Sequence, residues 1–225
     1  MASRSTWRRI LLMRFAIVGL VLLAVTANGQ QSAPTAKPHQ KSLRWLVEGS
    51  QELNGEDRIE VTKALSPDER AALIGVISEQ LRPGRKIGDA PLGKNLVDAV
   101  KETRVKLIDL NGDGIPEVIA QASDNESCSP TGNCTIWVFA RSGQGYRLIL
   151  ERNAIQTFAI RPTRTNGFKD LVLRQHGSAF ESDLFIYRFA NGKYHKNACY
   201  DANWVSMDGD ERHELKDPII TPCSR

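Results

Sequence analysis

The hydrophobic pattern changes character once along the chain. Ser66-Pro67-Asp68-Glu69 reads as an N-cap, a proline at the first helical position and an acid three residues after the cap. Leu73, Val76, Ile77 and Leu81 then fall on one face before Pro83-Gly84 stops the run, which predicts one amphipathic helix. An earlier apolar stretch, Leu43-Arg44-Trp45-Leu46-Val47, is too short to assign to helix or strand. From Val105 onward the pattern becomes short β-type runs punctuated by Gly, Asn and Asp. The predicted strands are 105–110, 117–121, 135–141 and 146–151, followed by 157–161, 170–175, 183–189 and 193–199.

The two sets of four match in kind. Gly114-Ile115-Pro116-Glu117-Val118-Ile119 lies over Gly167-Phe168-Lys169-Asp170-Leu171-Val172, and Trp137-Val138-Phe139-Ala140 over Tyr187-Arg188-Phe189-Ala190. Each set ends in a glycine-containing turn and a tyrosine, Tyr146 and Tyr194. A four-stranded unit of about 50 residues is the size of a propeller blade, but two blades cannot close a ring. The expected fold is therefore mainly β: two four-stranded antiparallel meanders, sandwich-like or incomplete and propeller-like, over residues 105–151 and 157–199. Residues 43–104 form the helical segment ahead of a β domain spanning 105–225, with the helix covering a sheet edge or end. Trp137, Phe139, Phe185, Tyr187 and Phe189 alternate at period two and read as sheet core, whereas Trp204 stands alone in a polar stretch as a possible exposed contact.

The N-terminus decides how charge and cysteines are read. Residues 15–25 are an uncharged apolar run, preceded by arginines and followed by Thr26-Ala27-Asn28-Gly29, which predicts a secretory signal over 1–29 and a flexible lead-in over 30–42. Eleven apolar residues fall well short of a bilayer span, so no stable membrane anchor is expected after cleavage. Met13 is an alternative start, and no cysteine stands near the cleavage region to carry a lipid. The 225 residues carry a net charge of +4, but Arg4, Arg8, Arg9 and Arg14 all lie in the signal; without them 26 basic residues face 26 acidic ones. A neutral mature chain gives no electrostatic case for nucleic acid.

Export to the periplasm or the medium lets the four cysteines oxidise. Cys128–Cys134, around the tight turn Ser-Pro-Thr-Gly-Asn, and Cys199–Cys223, which would staple the tail to the body, are the favoured pairs among three possible connectivities. A zinc site is disfavoured, because five residues separate Cys128 from Cys134 and His176, His195 and His213 show no paired spacing with the cysteines.

The sharpest chemical feature is Asp109-Leu110-Asn111-Gly112-Asp113-Gly114-Ile115-Pro116-Glu117. Oxygen-bearing side chains recur at loop positions 1, 3, 5 and 9 with glycine at 6, a spacing suited to a hard cation such as Ca²⁺. The carbonyl of Ile115 would supply the seventh-position oxygen. The position that holds a bidentate Glu in an EF-hand is Ala120 here, and both flanks are strand-like. The segment resembles the strand-loop-strand calcium hairpins of FG-GAP and VCBS-type repeats, over about residues 105–125. That resemblance implies calcium ligation by Asp109, Asn111, Asp113 and Glu117. The second meander places Pro162, Arg164 and Asn166 where the first has Asp109, Asn111 and Asp113, so one ion per chain is expected.

No nucleophile elbow or phosphate-binding glycine loop is present. His176 with Ser178, Asp170 or Glu181, and the pair Asp208 and Asp210 beside Glu211, are the candidates for an exported hydrolase. Asn125 and Asn133 head glycosylation sequons. The favoured reading is an exported, non-catalytic module carrying one structural Ca²⁺ ion that orders the 125–133 loop for recognition of a protein or glycan. A hydrolase, or an inhibitor of one, is the alternative.

Overall fold

The computed structural model describes residues 43–53, 58–81, 96–123, 127–143 and 145–224, with the side chains of Val97 and Asp98 excepted. The expected signal, the lead-in, the Pro83-Gly84 stop and Asn125 lie outside the described residues.

Helix α1 (Pro67–Gln80) begins as its sequence requires. Ser66 Oγ accepts from Glu69 N–H at 3.3 Å, and Glu69 Oε2 accepts from Ser66 N–H at 2.7 Å, closing the capping box with Pro67 at the first turn. Glu69 also pairs with Arg141, tying the helix start to the first sheet. A second helix, α2 (Leu96–Glu102), was not legible in the sequence: its seven residues are too few to show a helical period. The apolar stretch at 43–47 forms a 3-10 turn, Arg44–Leu46.

All eight expected strands form, and a ninth joins them. Strands β1 (Arg104–Ile108), β2 (Glu117–Gln121), β3 (Cys134–Ser142) and β4 (Gly145–Ile155) make a four-stranded antiparallel meander in sequence order. Strands β5 (Thr157–Thr165), β6 (Phe168–Ser178), β7 (Glu181–Ala190), β8 (Lys193–Asp208) and β9 (Glu211–Pro222) make a five-stranded one. The second meander is therefore not four-stranded. Its final strand was missed because Glu211-Arg212-His213-Glu214 is exposed on both faces and lacks the alternation that marks a half-buried strand. The segment read as an acidic loop is the β8–β9 hairpin, turning at Gly209 with φ of 58°.

The two sheets share an apolar core. Ile119, Ile136, Val138 and Leu150 from the first sheet meet Phe158, Leu171, Leu173, Phe185 and Tyr187 from the second. The outer face of the first sheet buries Val118, Trp137 and Phe139 against Leu73, Ile77 and Leu81 of the α1 region and Val100 of α2. The helices thus cover a sheet face rather than an edge. The outer face of the second sheet packs Val172, Leu184 and Ile186 against Leu46 of the 3-10 turn. Trp204 is half-buried there with the Arg174 guanidinium 4.6 Å from its ring centre, so it is not the exposed contact its polar neighbours suggested.

Gln156 alone separates β4 from β5. The backbone turns at Ala154, whose φ is 60°, and the buried Gln121 amide donates to Ile155 C=O at 2.8 Å. Both expected disulfides are present, Cys128–Cys134 and Cys199–Cys223, with Cα separations of 4.0 and 5.4 Å. The second holds β9 to β8, where Cys223 N–H also donates to Cys199 C=O at 3.1 Å.

Leu173→Ala in the shared core is expected to cost about 2 to 5 kcal/mol in urea unfolding. Replacing both Cys199 and Cys223 by alanine should cost about 3 to 4 kcal/mol, against about 2 for the shorter Cys128–Cys134 loop. Equal losses from the two disulfides would contradict the loop-entropy account.

Candidate functional site

The β1–β2 connection is the loop singled out in the sequence, and its side chains fold inward onto its own amides. Asp109 Oδ1 accepts from Gly112 N–H at 2.5 Å and Oδ2 from Gly114 N–H at 3.2 Å. Asn111 Oδ1 accepts from Asp113 N–H at 2.9 Å, and Asp113 Oδ1 from Ile115 N–H at 2.7 Å. Gly112 and Gly114 have φ of 84° and 82°, values that a side chain would strain, so both glycines are needed for this curl. Ile115 sits at the apex, half-exposed.

Glu117 reaches back from the first position of β2. Its Oε2 accepts from Leu110 N–H at 2.8 Å and its Oε1 from Asn111 Nδ2 at 3.2 Å; the same amide nitrogen donates to Asp113 Oδ2 at 2.8 Å. The Asn111 amide thus stands between two carboxylates. Glu117 is only 3% exposed, and this burial holds its carboxyl above the usual carboxylate range; the Leu110 N–H opposes the shift, and the Asp113 and Asp109 charges add to it. Asp109 moves the other way. The Gly112 N–H lowers it, partly offset by desolvation, with the Gly114 N–H and the charges of Lys169 and Arg164 lowering it further.

The loop is fastened to the second sheet. Leu110 is fully buried in the shared core, and its carbonyl accepts from Lys169 N–H at 2.8 Å and from Arg164 Nη1 at 2.9 Å. Arg164 Nη1 also donates to Gly167 C=O at 2.7 Å, and its Nη2 stands 3.3 Å from where a Cβ on Gly112 would lie. Tyr194 Oη supports the same hairpin by donating to Lys169 C=O at 2.8 Å. The overlay of the two meanders places Arg164 opposite Asn111, but no sequence signal reveals that its guanidinium crosses between sheets to brace the first loop.

The donor set of Asp109, Asn111, Asp113 and Glu117 is all oxygen, which fits a hard divalent cation in chemistry. Its carboxylates are not yet gathered as a ligand shell. Among the described residues, the one group of three acidic, histidine or cysteine side chains with ligand atoms all within 4.8 Å is Cys199, Asp201 and Cys223. There both sulfurs are tied in the disulfide and are no longer thiolate ligands. At the loop, the Asn111 amide nitrogen fills the space between Asp113 and Glu117, so taking up a cation there requires Asn111 to turn its oxygen inward.

The other sequence candidates do not assemble. Ser178 Oγ donates to Glu181 Oε2 at 3.2 Å in the exposed β6–β7 turn, but His176 is not part of that pair and its Nδ1 is buried without a hydrogen-bond partner. Asp170 is buried and accepts from Thr163 and Thr165, both at 2.8 Å. Asp208 and Asp210 are exposed at the β8–β9 turn. Asn133 is 7% exposed, with its amide spanning the His176 backbone: Oδ1 accepts from N–H at 2.8 Å and Nδ2 donates to C=O at 2.7 Å. That sequon asparagine is a clamp between the Cys128–Cys134 turn and β6, with no free amide for a glycan.

With a chelator present, Glu117 makes the fold take up protons. Its folded value lies above the unfolded one, so its stability contribution is full below the ordinary carboxylate range and is lost as pH rises through the folded value. Asp109 is opposite in sign: its contribution is full above the ordinary value and is lost as pH falls through the lowered one. Urea unfolding of Glu117→Gln in chelator should remove the first slope and leave the second. A wild-type slope in Glu117→Gln would refute the assignment.

No known family, curated protein or solved structure matches this chain, so the reading of the loop rests on its own residues.

Proposed function

We propose that the protein is an exported, non-catalytic binding module whose β1–β2 loop takes one structural Ca²⁺ ion through Asp109, Asn111, Asp113, Glu117 and the Ile115 carbonyl, and which recognises a protein or glycan. The observation that carries the proposal is a glycine-shaped loop on which the Asn111 amide bridges Asp113 and the buried Glu117 while Asp109 accepts from the loop's own amides, four oxygen-bearing side chains on one short connection. Two disulfides support an oxidising compartment, secreted or periplasmic. No helix among the described residues is long and apolar enough to cross a membrane.

The topology alters what such an ion would order. The described part of the 125–133 segment, residues 127–133, lies beyond the end of β2 opposite the 109–117 loop, and the five residues of β2 set the two about 17 Å apart. The segment in contact with the loop is instead the β5–β6 hairpin, through Arg164 and Lys169. Calcium neutralises the crowded carboxylates and stiffens the seam between the two hairpins, holding the half-exposed Ile115 at a fixed place on the recognition surface.

With three carboxylates and no bidentate closing ligand, affinity belongs with extracellular modules, at about 10⁻⁴ to 10⁻³ M. Thermal unfolding of the oxidised protein should shift upward with millimolar calcium relative to chelator. Asp109→Ala combined with Asp113→Ala should abolish the shift, and the loss of the loop hydrogen bonds these carboxylates accept should lower the melting temperature in chelator by less than it falls in calcium. An equal loss in chelator would overturn the proposal.

A further inference from the structure

The C-terminal hairpin gathers a second set of metal-ligating groups. Cys199 and Asp201 are two residues apart on β8 and so project from the same face, and Cys223 follows the last residue of β9. Ligand atoms of all three lie within 4.8 Å of one another, and each residue is half-buried. Asp201 Oδ1 stands 3.2 Å from Cys223 Sγ. A disulfide sulfur carries no hydrogen to donate, so this contact is not a hydrogen bond. Among the described residues the Asp201 carboxylate has neither a hydrogen-bond donor nor an ion pair. The oxygen and sulfur ligands of one tetrahedral zinc ion stand about 3.5 Å apart, given Zn–O of about 2.0 Å and Zn–S of about 2.3 Å. The carboxylate is therefore placed near ligand spacing from the sulfur, with no donor to explain it.

The arrangement does not depend on the S–S bond alone. Strands β8 and β9 are in register from Asn203 and Ile219 to Tyr200 and Pro222, and Ala202 and Ile220 are buried on the outer face of the second sheet. Cys223 N–H donates to Cys199 C=O at 3.1 Å, which continues the pairing to the cysteines themselves. With Cα atoms 5.4 Å apart, side-chain rotation lets two free sulfurs part to about 3.8 Å, their spacing on one zinc ion. Two thiolates with one carboxylate form a donor set that selects zinc over calcium. Cys128 and Cys134 have no such third ligand among the described residues.

We infer that Cys199, Asp201 and Cys223 form a zinc site that the disulfide closes and reduction opens. A dithiol reductant, the class of group that thiol–disulfide oxidoreductases present, gives two electrons and two protons to the pair. The Cys199–Cys223 bond breaks, two thiols form, and the reductant closes its own disulfide. Zn²⁺ then displaces both thiol protons and forms two Zn–S bonds, with Asp201 as the third ligand and water in the fourth position. The metal takes over the tie between β9 and β8. Because it binds the reduced pair and not the disulfide, zinc also makes this disulfide easier to reduce. The site is independent of the calcium loop, whose donors are all oxygen.

The test titrates Co²⁺, as a spectroscopic probe, and then Zn²⁺ into the oxidised protein and into protein reduced by a phosphine under anaerobic conditions, both in excess calcium. The reduced protein should take up one Co²⁺ with thiolate-to-cobalt charge-transfer and tetrahedral ligand-field absorption, and Zn²⁺ should displace it. The oxidised protein should show neither absorption. Asp201→Asn, which keeps both thiols, should weaken cobalt binding to the reduced protein by about tenfold or more. The inference is overturned if the reduced protein shows no such absorption, if Cys199→Ser combined with Cys223→Ser retains it, or if Asp201→Asn binds cobalt as tightly as wild type.

Discussion

The peptide groups of Leu110 are the point on which the candidate site depends. Its side chain is fully buried between the sheets, its N–H is held by Glu117, and its carbonyl is held by Lys169 and Arg164 from the second sheet. A buried backbone group without a partner is costly, so these bonds are requirements of the fold rather than additions to it. The loop is therefore rooted at one end in the shared core, while the segment from Gly112 to Ile115 stays exposed to solvent. Rigidity at the root and access at the tip are what an ion loop needs.

The same economy explains why Glu117 is buried as a carboxylate. It caps the loop from the first residue of β2 and satisfies Leu110 and Asn111, at the cost of placing a charge near Asp109 and Asp113. Three acids drawn together with a single neutral amide between two of them form an arrangement that a divalent cation would relieve. Arg164 and Lys169 relieve part of it from outside the loop, through the second sheet, and this makes the occupancy of the loop and the seam between the hairpins parts of one balance.

Much of this architecture was legible in the residues. The Ser66 capping box, the eight apolar runs and the loop of oxygens and glycines are local signals, each contained in a few neighbouring positions, and local physics decides them. Both cysteine pairings followed from a tight turn and a leftover tail. What escaped was non-local or unpatterned. Strand β9 is polar along its first half and is held by pairing with β8, α2 is too short to show its period, and the roles of Arg164 and Asn133 depend on sheet contacts between segments 54 and 43 residues apart. Asn133 reads as a glycan acceptor by sequon and is a buried clamp by position. Trp204 looks isolated in sequence because its partners, Arg174 and the outer face of the second sheet, lie on other strands.

Direct calcium binding to the oxidised protein, by equilibrium dialysis across the micromolar to ten-millimolar range, bears most closely on the central claim. The account predicts one ion per chain, lost when Glu117 is changed to Gln. Finding no bound calcium, or finding it undiminished in the Glu117→Gln protein, would contradict it.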